Sequence, residues 1–151
     1  MPKRSAGLLL YRDTGGRLEV FLVHPGGPLW AKKDAGAWTI PKGEYDDSEE
    51  ALEAAKREFL EETGAAADGG FVPLGEVRQA SGKLVKAWAL ESDVDADAIQ
   101  SNTFEMEWPP RSGKRGEFPE VDRAAWFSVE DAREKINPAQ QQFLDRLLAL
   151  R

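Results

Sequence analysis

The chain has 151 residues, 41% of them hydrophobic and 31% charged, which is the composition of one soluble globular domain. It has no cysteine, which excludes a disulfide scaffold, a cysteine-ligated zinc site and thiol catalysis, and favours a reducing compartment such as the cytoplasm. The 20 Lys and Arg residues against 27 Asp and Glu give a net charge of -7, so we expect no nonspecific binding to nucleic acid. The longest apolar run, residues 6–11, is too short to cross a bilayer, and we expect no membrane association.

The first part of the chain has the pattern of a β-hairpin. Two apolar runs, residues 5–12 and 18–24, are predicted strands, and residues 13–16 supply the turn chemistry between them. A loop is predicted at residues 29–36, followed by a short apolar stretch at residues 37–40.

The strongest helical pattern lies in the middle of the chain. Asp47 is a candidate N-cap with Glu50 three residues later, and Gly64 is a candidate C-cap. Downstream we predict four strands and two helices, and a loop at residues 115–121. The predicted strands are residues 71–79, 83–91, 103–108 and 124–127, and the predicted helices are residues 128–136 and 139–150. This order indicates an α/β fold with a mixed sheet covered by helices, rather than a repeating βαβ fold.

Acidic residues are concentrated near the end of the central helix. Glu58, Glu61 and Glu62 have i, i+3 and i+4 spacing, so their carboxylates converge on one patch. Such crowding raises the pKa of each carboxyl unless a cation is present, and carboxylate oxygens suit Mg²⁺ or Mn²⁺. A solvated acidic helix face is the alternative interpretation.

The sequence around this patch favours the metal-binding interpretation. Its glycines, acids and arginine follow one spacing pattern: Gly43, five residues, Glu49, seven residues, Arg57-Glu58-Phe59, one residue, Glu61-Glu62, one residue, Gly64-Ala65. Residues 43–65 thereby resemble the signature of the Nudix hydrolases at every position, with Ala65 as the one weak match. A chance match in a chain of this length has a probability on the order of 10⁻⁵. Residues 38–43, Trp-Thr-Ile-Pro-Lys-Gly, resemble the segment that leads into this signature.

The resemblance implies a fold and an activity for residues 1–151 as a single Nudix hydrolase domain. The implied fold is an α/β/α sandwich with a mixed β-sheet. The implied reaction is the hydrolysis of a nucleoside diphosphate linked to another group X, by water attack on phosphorus with Mg²⁺ or Mn²⁺ as cofactor. A cation is needed because a diphosphate is anionic and repels the attacking oxygen.

The resemblance also implies roles for individual residues. The implied metal ligands are Glu58, Glu61, Glu62 and a main-chain carbonyl of the turn at Gly43. Arg57 would form an ion pair with Glu49 that holds the loop against the helix. Either Glu61 or Glu58 would accept the proton of the attacking water, and the sequence leaves both open.

A further acid is expected from outside this helix. Residues 115–121 resemble the corresponding stretch of diadenosine polyphosphate hydrolases, with Glu120 at the matching distance from Trp126. Glu120 is therefore the expected additional metal ligand or base. Glu117 is the alternative, and an ordinary solvated loop is the third interpretation.

Other residues are candidates for binding the substrate. Lys42 adjoins the signature, and Lys32 and Lys33 lie in a loop expected to border the same cleft, where their charges suit phosphates. Trp30 lies in a loop rich in Gly and Pro and is the best candidate to stack on a base. His24, the sole histidine, ends a predicted strand, and we expect a structural role for it.

The identity of X remains open at this point. A dinucleoside polyphosphate such as diadenosine tetraphosphate is favoured by residues 38–43 and by the Glu120 to Trp126 stretch. ADP-ribose or a nucleoside or deoxynucleoside triphosphate is the alternative. The downstream tyrosine that often accompanies the first activity and the proline that often accompanies ADP-ribose hydrolysis are both missing. A non-catalytic domain that senses a nucleotide is a further possibility, although such a domain is expected to have lost acids of the signature.

Overall fold

The computed structural model describes residues 3–151. It contains eight strands and three α-helices, with two short 3₁₀ turns at Ala96–Ala98 and Pro138–Gln140. The elements in chain order are β1 (Arg4–Thr14), β2 (Arg17–Pro25), β3 (Lys42–Glu44), α1 (Ala51–Thr63), β4 (Val72–Arg78), β5 (Leu84–Glu91), β6 (Thr103–Glu107), β7 (Arg115–Pro119), β8 (Val121–Ser128), α2 (Val129–Lys135) and α3 (Gln141–Ala149).

The main sheet is mixed, as predicted. Its strand order is β4-β5-β1-β2-β8, and the short strand β3 also pairs with β1. The β1 and β5 strands run parallel, whereas the other neighbours are antiparallel. Strand β1 lies in the centre because residues 6–10 are apolar or glycine and are buried on both faces.

Helices cover both faces of this sheet and complete the predicted α/β/α sandwich. On one face α1 contributes Ala55 and Phe59 to an apolar cluster with Leu8 of β1. On the other face α3 contributes Phe143 to a second cluster with Leu9 of β1. The alternation of side chains along β1 therefore builds both halves of the core. In the described part of the chain, no helix is long and apolar enough to span a membrane.

The predicted N-cap of the central helix is wrong. Helix α1 begins at Ala51 and Glu50 occupies its N-cap position, so Asp47 lies four residues before the helix. The carboxylate of Asp47 pairs instead with Arg4 of β1, and Asp46 accepts the backbone N–H of Ser48 at 2.9 Å. These contacts form a turn that delays the start of the helix.

The predicted loop at residues 115–121 is also wrong. Residues Arg115–Pro119 form β7, which pairs with β6 in a separate two-stranded sheet, and β8 then begins at Val121 rather than at Ala124. The charged residues Arg115 and Glu117 point to solvent and Phe118 is partly buried, which is the alternation of a strand with one exposed face. Only Glu120 lies between the two strands.

Candidate active site

The acidic patch of α1 packs against β3. Gly43 lies so close to Glu58 that a Cβ atom there would be 1.9 Å from the carboxyl carbon and would displace the carboxylate. Gly7 of β1 has the same function one strand away, since a Cβ atom there would be 2.5 Å from the carbonyl oxygen of Pro41. These two glycines allow the turn before the helix to lie directly against the Glu58 carboxylate.

Arg57 is surrounded by carboxylates. Its Nε and Nη2 donate to the two oxygens of Glu49 at 2.8 and 2.9 Å, which is the ion pair implied by the resemblance. Its Nη1 donates to Glu58 Oε1 at 3.0 Å and to Glu61 Oε1 at 3.2 Å. Hydrogen bonding to Glu49 raises the pKa of Arg57 well above its ordinary value, so the guanidinium stays charged.

Arg57 Nη1 lies between two of these acids and donates to both Glu58 and Glu61. Among residues 3–151, no three histidine or acidic side chains converge on one point in metal-ligand geometry. The ion pair with Glu49 uses the other two nitrogens, Nε and Nη2, and is therefore separate from the contacts of Nη1.

Glu62 lies on the Lys42 side of the patch. The backbone N–H of Lys42 donates to Glu62 Oε1 at 3.2 Å. Burial raises the pKa of Glu62 to about 8, although the Lys42 ammonium opposes this shift. Burial and the nearby charge of Lys83 lower the pKa of Lys42 itself. Lys42 therefore lies beside the acids, where it contacts Glu62 through its backbone.

Glu120 reaches this patch because the β6–β7 hairpin is attached to the end of α1. The N–H groups of Gln100 and Asn102 donate to the carbonyls of Thr63 and Glu61, both at 2.8 Å, so they pair carbonyls that the helix leaves free. The N–H of Glu120 in turn donates to the carbonyl of Asn102 at 2.9 Å. This chain of backbone hydrogen bonds places Glu120 next to the last turn of the helix.

The electrostatics of the acids fit a hard divalent cation. Burial and then the charge of Glu61 raise the pKa of Glu58, and the same two causes raise the pKa of Glu120. Glu58 and Glu120 also raise the pKa of Glu62. Carboxylates that disfavour one another's charge are the donor set that binds Mg²⁺ or Mn²⁺, and the carbonyls around Gly43 add a neutral oxygen. The residues present therefore fit the cofactor that the resemblance implies.

A cavity of about 330 Å³ opens beside Glu120. Glu120 is the one charged side chain among the described residues that line it, and the remaining lining is mostly apolar. The lining residues are Pro25, Gly26, Gly27, Leu29, Trp30, Phe104, Met106 and Glu120.

Of the residues that line the cavity, the sequence predicted only Trp30 and Glu120 as site residues. Phe104 and Met106 were predicted only as part of a strand, β6, in which they alternate with exposed glutamates. The alternation indicated that the two side chains lie on one face of the strand. It did not indicate that the β6–β7 hairpin directs this face toward the cavity that Trp30 also lines. Gly27 permits this approach, since a Cβ atom there would be 2.9 Å from Cζ of Phe104.

The predicted substrate-binding residues fall into two groups. Trp30 is 39% exposed and lines the cavity, as a residue that contacts a ligand would. Lys32 and Lys33 are exposed in the loop behind it, and neither is among the lining residues. The Nζ of Lys33 lies 4.8 Å from the centroid of the Trp30 ring, which is a cation–π contact.

Comparison with known proteins identifies the family. The family model of the NUDIX domain matches residues 1–147. The chain belongs to the Nudix family. This Nudix chain is 28% identical over 130 residues to the RNA pyrophosphohydrolase of Mesorhizobium japonicum, a match that covers 74% of this chain and 68% of the relative.

A second relative matches over a shorter segment. The RNA pyrophosphohydrolase of Bartonella henselae is 35% identical over 66 residues, which are 41% of this Nudix chain. The chain spans only 35% of the length of that relative.

A solved Nudix structure matches almost the whole chain. The C. elegans Ap4A hydrolase, in a binary complex, superposes with a TM-score of 0.66 at 25% identity. The match covers 98% of this chain and 96% of that one. The fold predicted from the signature is therefore confirmed over its full extent.

Proposed function

We propose that this Nudix chain hydrolyses a phosphoric anhydride bond in a nucleoside diphosphate linked to another group. The observation that carries the proposal is that the acids of α1 and Glu120 lie close enough for their charges to interact, and that Glu120 also lines an aromatic cavity. Family membership and the pyrophosphohydrolase names of two relatives support a hydrolase acting on phosphoric anhydrides.

The acids of α1, with a carbonyl near Gly43 and with Glu120, would hold Mg²⁺ or Mn²⁺. When bound, the cation supplies charge neutralisation at the phosphates and lowers the pKa of the attacking water. Arg57 keeps the Glu49 loop against the helix and leaves Nη1 beside Glu58 and Glu61.

Glu61 is better placed than Glu58 to accept the proton of the attacking water. The Glu61 side chain is 38% exposed, whereas that of Glu58 is 11% exposed and is enclosed by Gly43 and Arg57. A general base must contact the attacking water, and it must also be accessible to bulk solvent, which finally receives the proton. We therefore assign this proton transfer to Glu61, with Glu58 as a ligand.

The cavity would receive the nucleobase of the substrate. Trp30 and Phe104 offer aromatic faces for stacking, which every base can use. The described lining residues include no Lys, Arg or His, which suits an uncharged nucleobase rather than a phosphate. Since the cavity opens beside Glu120, a base bound there would direct its phosphates toward the acids of α1.

The favoured substrate is a dinucleoside polyphosphate such as diadenosine tetraphosphate. The resemblance of residues 115–121 and the superposition on the C. elegans Ap4A hydrolase support this choice. The similarity to bacterial RNA pyrophosphohydrolases makes RNA a second candidate substrate. The outer face of the hairpin carries Glu105, Glu107 and Glu117, and these charges oppose a polynucleotide.

A substrate panel with Mg²⁺ tests the proposal. We expect the highest kcat/KM for diadenosine tetraphosphate, against ADP-ribose, nucleoside and deoxynucleoside triphosphates, and 5′-triphosphorylated RNA. Chromatography of the products shows which anhydride bond was cleaved. A preference for another member of the panel would reassign X. Nucleotide binding without any hydrolysis would instead identify a sensor domain.

Glu120→Gln is expected to lower kcat about tenfold or more, with little change in melting temperature. The carboxylate lies beside Glu61, and a residue between two strands contributes little packing energy. Glu117→Gln is the matched control, because it removes the same charge from the exposed face of β7. If Glu117→Gln is the more damaging change, the roles of the two acids must be exchanged. If neither variant matters, catalysis depends on the acids of α1 alone.

A further inference from the structure

The single histidine of the chain is completely buried and joins two parts of the cavity wall. His24 is the penultimate residue of β2 and precedes the loop of residues 29–36 that carries Trp30. Its Nε2 lies 2.6 Å from the carbonyl oxygen of Lys33 in that loop. Its Nδ1 lies 2.9 Å from Oδ1 of Asp122 in β8. The ring thus connects the loop to the main sheet.

The two ring nitrogens of His24 make contacts in opposite directions. The carbonyl of Lys33 can only accept, so Nε2 is the donor of that hydrogen bond. Nδ1 lies at hydrogen-bond distance from the Asp122 carboxyl group. The ring of Trp38 packs edge-on against His24, with the centroids 5.2 Å apart, and fixes the plane of the imidazole.

The Lys33 carbonyl is directly connected to Trp30. The N–H of Lys33 donates to the carbonyl of Trp30 at 3.0 Å, and its ammonium lies over the Trp30 ring. The end of the loop has separate anchors, since Asp34 accepts from Trp38 Nε1 at 2.8 Å and pairs with Lys135. The bond from His24 therefore attaches to the sheet the residue that contacts Trp30.

The other partner of His24, Asp122, lies close in sequence to Glu120, which lines the opposite side of the cavity from Trp30. Asp122 follows Glu120 by two residues, and the carbonyl of Glu120 accepts the N–H of Gly26 at 2.9 Å. His24 and Gly26 therefore fasten β8 to the end of β2 on the Glu120 side. The distance between Trp30 and Glu120 across the cavity depends on both attachments.

We propose that His24 is a positioning residue that sets the affinity of the cavity for the nucleobase by fixing the Trp30 loop relative to β8. This inference rests on the proposed function, in which the cavity beside Trp30 receives the base. His24 itself does not line the cavity. Its effect is therefore expected in KM rather than in kcat.

Two substitutions separate the two hydrogen bonds. In His24→Gln the amide nitrogen occupies the place of Nε2 and can still donate to the Lys33 carbonyl. In His24→Asn the amide nitrogen occupies the place of Nδ1, so the bond to Asp122 is kept and the Lys33 carbonyl loses its donor. We expect His24→Asn to raise KM about tenfold with kcat within about twofold, and His24→Gln to stay near the wild-type KM.

Amide hydrogen exchange and tryptophan fluorescence provide readouts that do not require turnover. Exchange of the Lys33 amide is expected to accelerate in His24→Asn but not in His24→Gln. Fluorescence titration with ADP is expected to show the same order of affinities as KM. Since the chain has one histidine, nitrogen-15 NMR of the wild-type protein measures its ring directly, and Nε2 should carry the proton that the hydrogen bond to Lys33 requires.

The outcomes distinguish this proposal from the proposed function. Equal effects of the two variants on KM, a loss confined to kcat, or an Nε2 without a proton in the wild type would overturn the positioning role, and hydrolysis by the wild type would still stand. If the wild type hydrolyses none of the panel but the ADP titration and hydrogen exchange follow the expected order, only the proposed reaction fails. If the variants prove unfolded, the NMR measurement decides the case on the wild-type protein.

Discussion

Excess EDTA is expected to reduce hydrolysis to the uncatalysed background, and added Mg²⁺ or Mn²⁺ to restore it. The acids of α1 and Glu120 repel a polyphosphate, so the site cannot bind its substrate productively without a cation. A bound divalent ion contributes several kcal/mol to the transition state of such reactions, which corresponds to a rate change of about 10³-fold or more. The measurement is the initial rate of phosphate release with chelator, and then with metal in excess of chelator.

The control for this experiment is the melting temperature with and without EDTA. The apolar clusters on both faces of the sheet involve no acid of the site, so the protein should remain folded when the metal is removed. A loss of activity accompanied by unfolding would make the effect structural. Full activity in excess EDTA would contradict the metal site altogether.

Glu61→Gln is expected to lower kcat about 10²-fold or more while the fold stays intact. The substitution preserves the shape of the side chain and removes both the charge and the ability to accept a proton. Because Glu61 is partly exposed, its loss leaves no buried cavity, and the melting temperature should change little. Steady-state kinetics with the best substrate of the panel, together with circular dichroism, measure both quantities.

Glu53→Gln is the matched control for this variant. Glu53 lies on the same helix, is exposed, and has only a distant contact with Lys56 at 3.9 Å. The Glu53→Gln substitution removes the same charge from α1 but changes no residue of the candidate site, so kcat should stay close to that of the wild type. A Glu61→Gln variant that is as active as Glu53→Gln would show that Glu61 is neither base nor essential ligand.

The EDTA experiment and the Glu61→Gln variant test different parts of the same candidate active site. Chelation tests whether the acids need a cation, and Glu61→Gln tests which acid is required for turnover. Arg57 links them, because its Nη1 contacts Glu58 and Glu61 while Nε and Nη2 remain with Glu49. If a metal-dependent enzyme tolerated Glu61→Gln, the proton acceptor would have to be Glu58 or Glu120, and burial raises the pKa of both.

The sequence predicted those features that depend on local spacing. Two apolar runs with turn residues between them predicted the first hairpin, and the helical periodicity placed Glu58, Glu61 and Glu62 on one face of α1. The signature of residues 43–65 predicted the family and the α/β/α fold, and both are confirmed. Local spacing suffices here because a helix repeats every 3.6 residues, whatever it packs against.

Predictions from local sequence were wrong where a residue distant in sequence bonds to the group that the local pattern would use. Asp47 has the chemistry of an N-cap, but Arg4 of β1 attracts its carboxylate and the helix begins at Ala51. Residues 115–119 looked like a charged loop, yet their backbone pairs with β6. Strand pairing uses backbone groups that every residue except proline carries in full, and the sequence of β7 alone gives little indication of its partner.

Only the tertiary structure decided how the candidate site is assembled. Glu120 is far from Glu61 in sequence, and it reaches the patch because the backbone of Asn102 bridges the end of α1 and β8. Trp30 and Phe104 line the same cavity. They can do so because Gly26 and Gly27 let the β6–β7 hairpin approach the chain that leads to the Trp30 loop. The sequence by itself thus determined the acids of one helix and the family of the chain. The fold decided which distant residues join those acids, because backbone hydrogen bonds and close glycine contacts carry no side-chain signature.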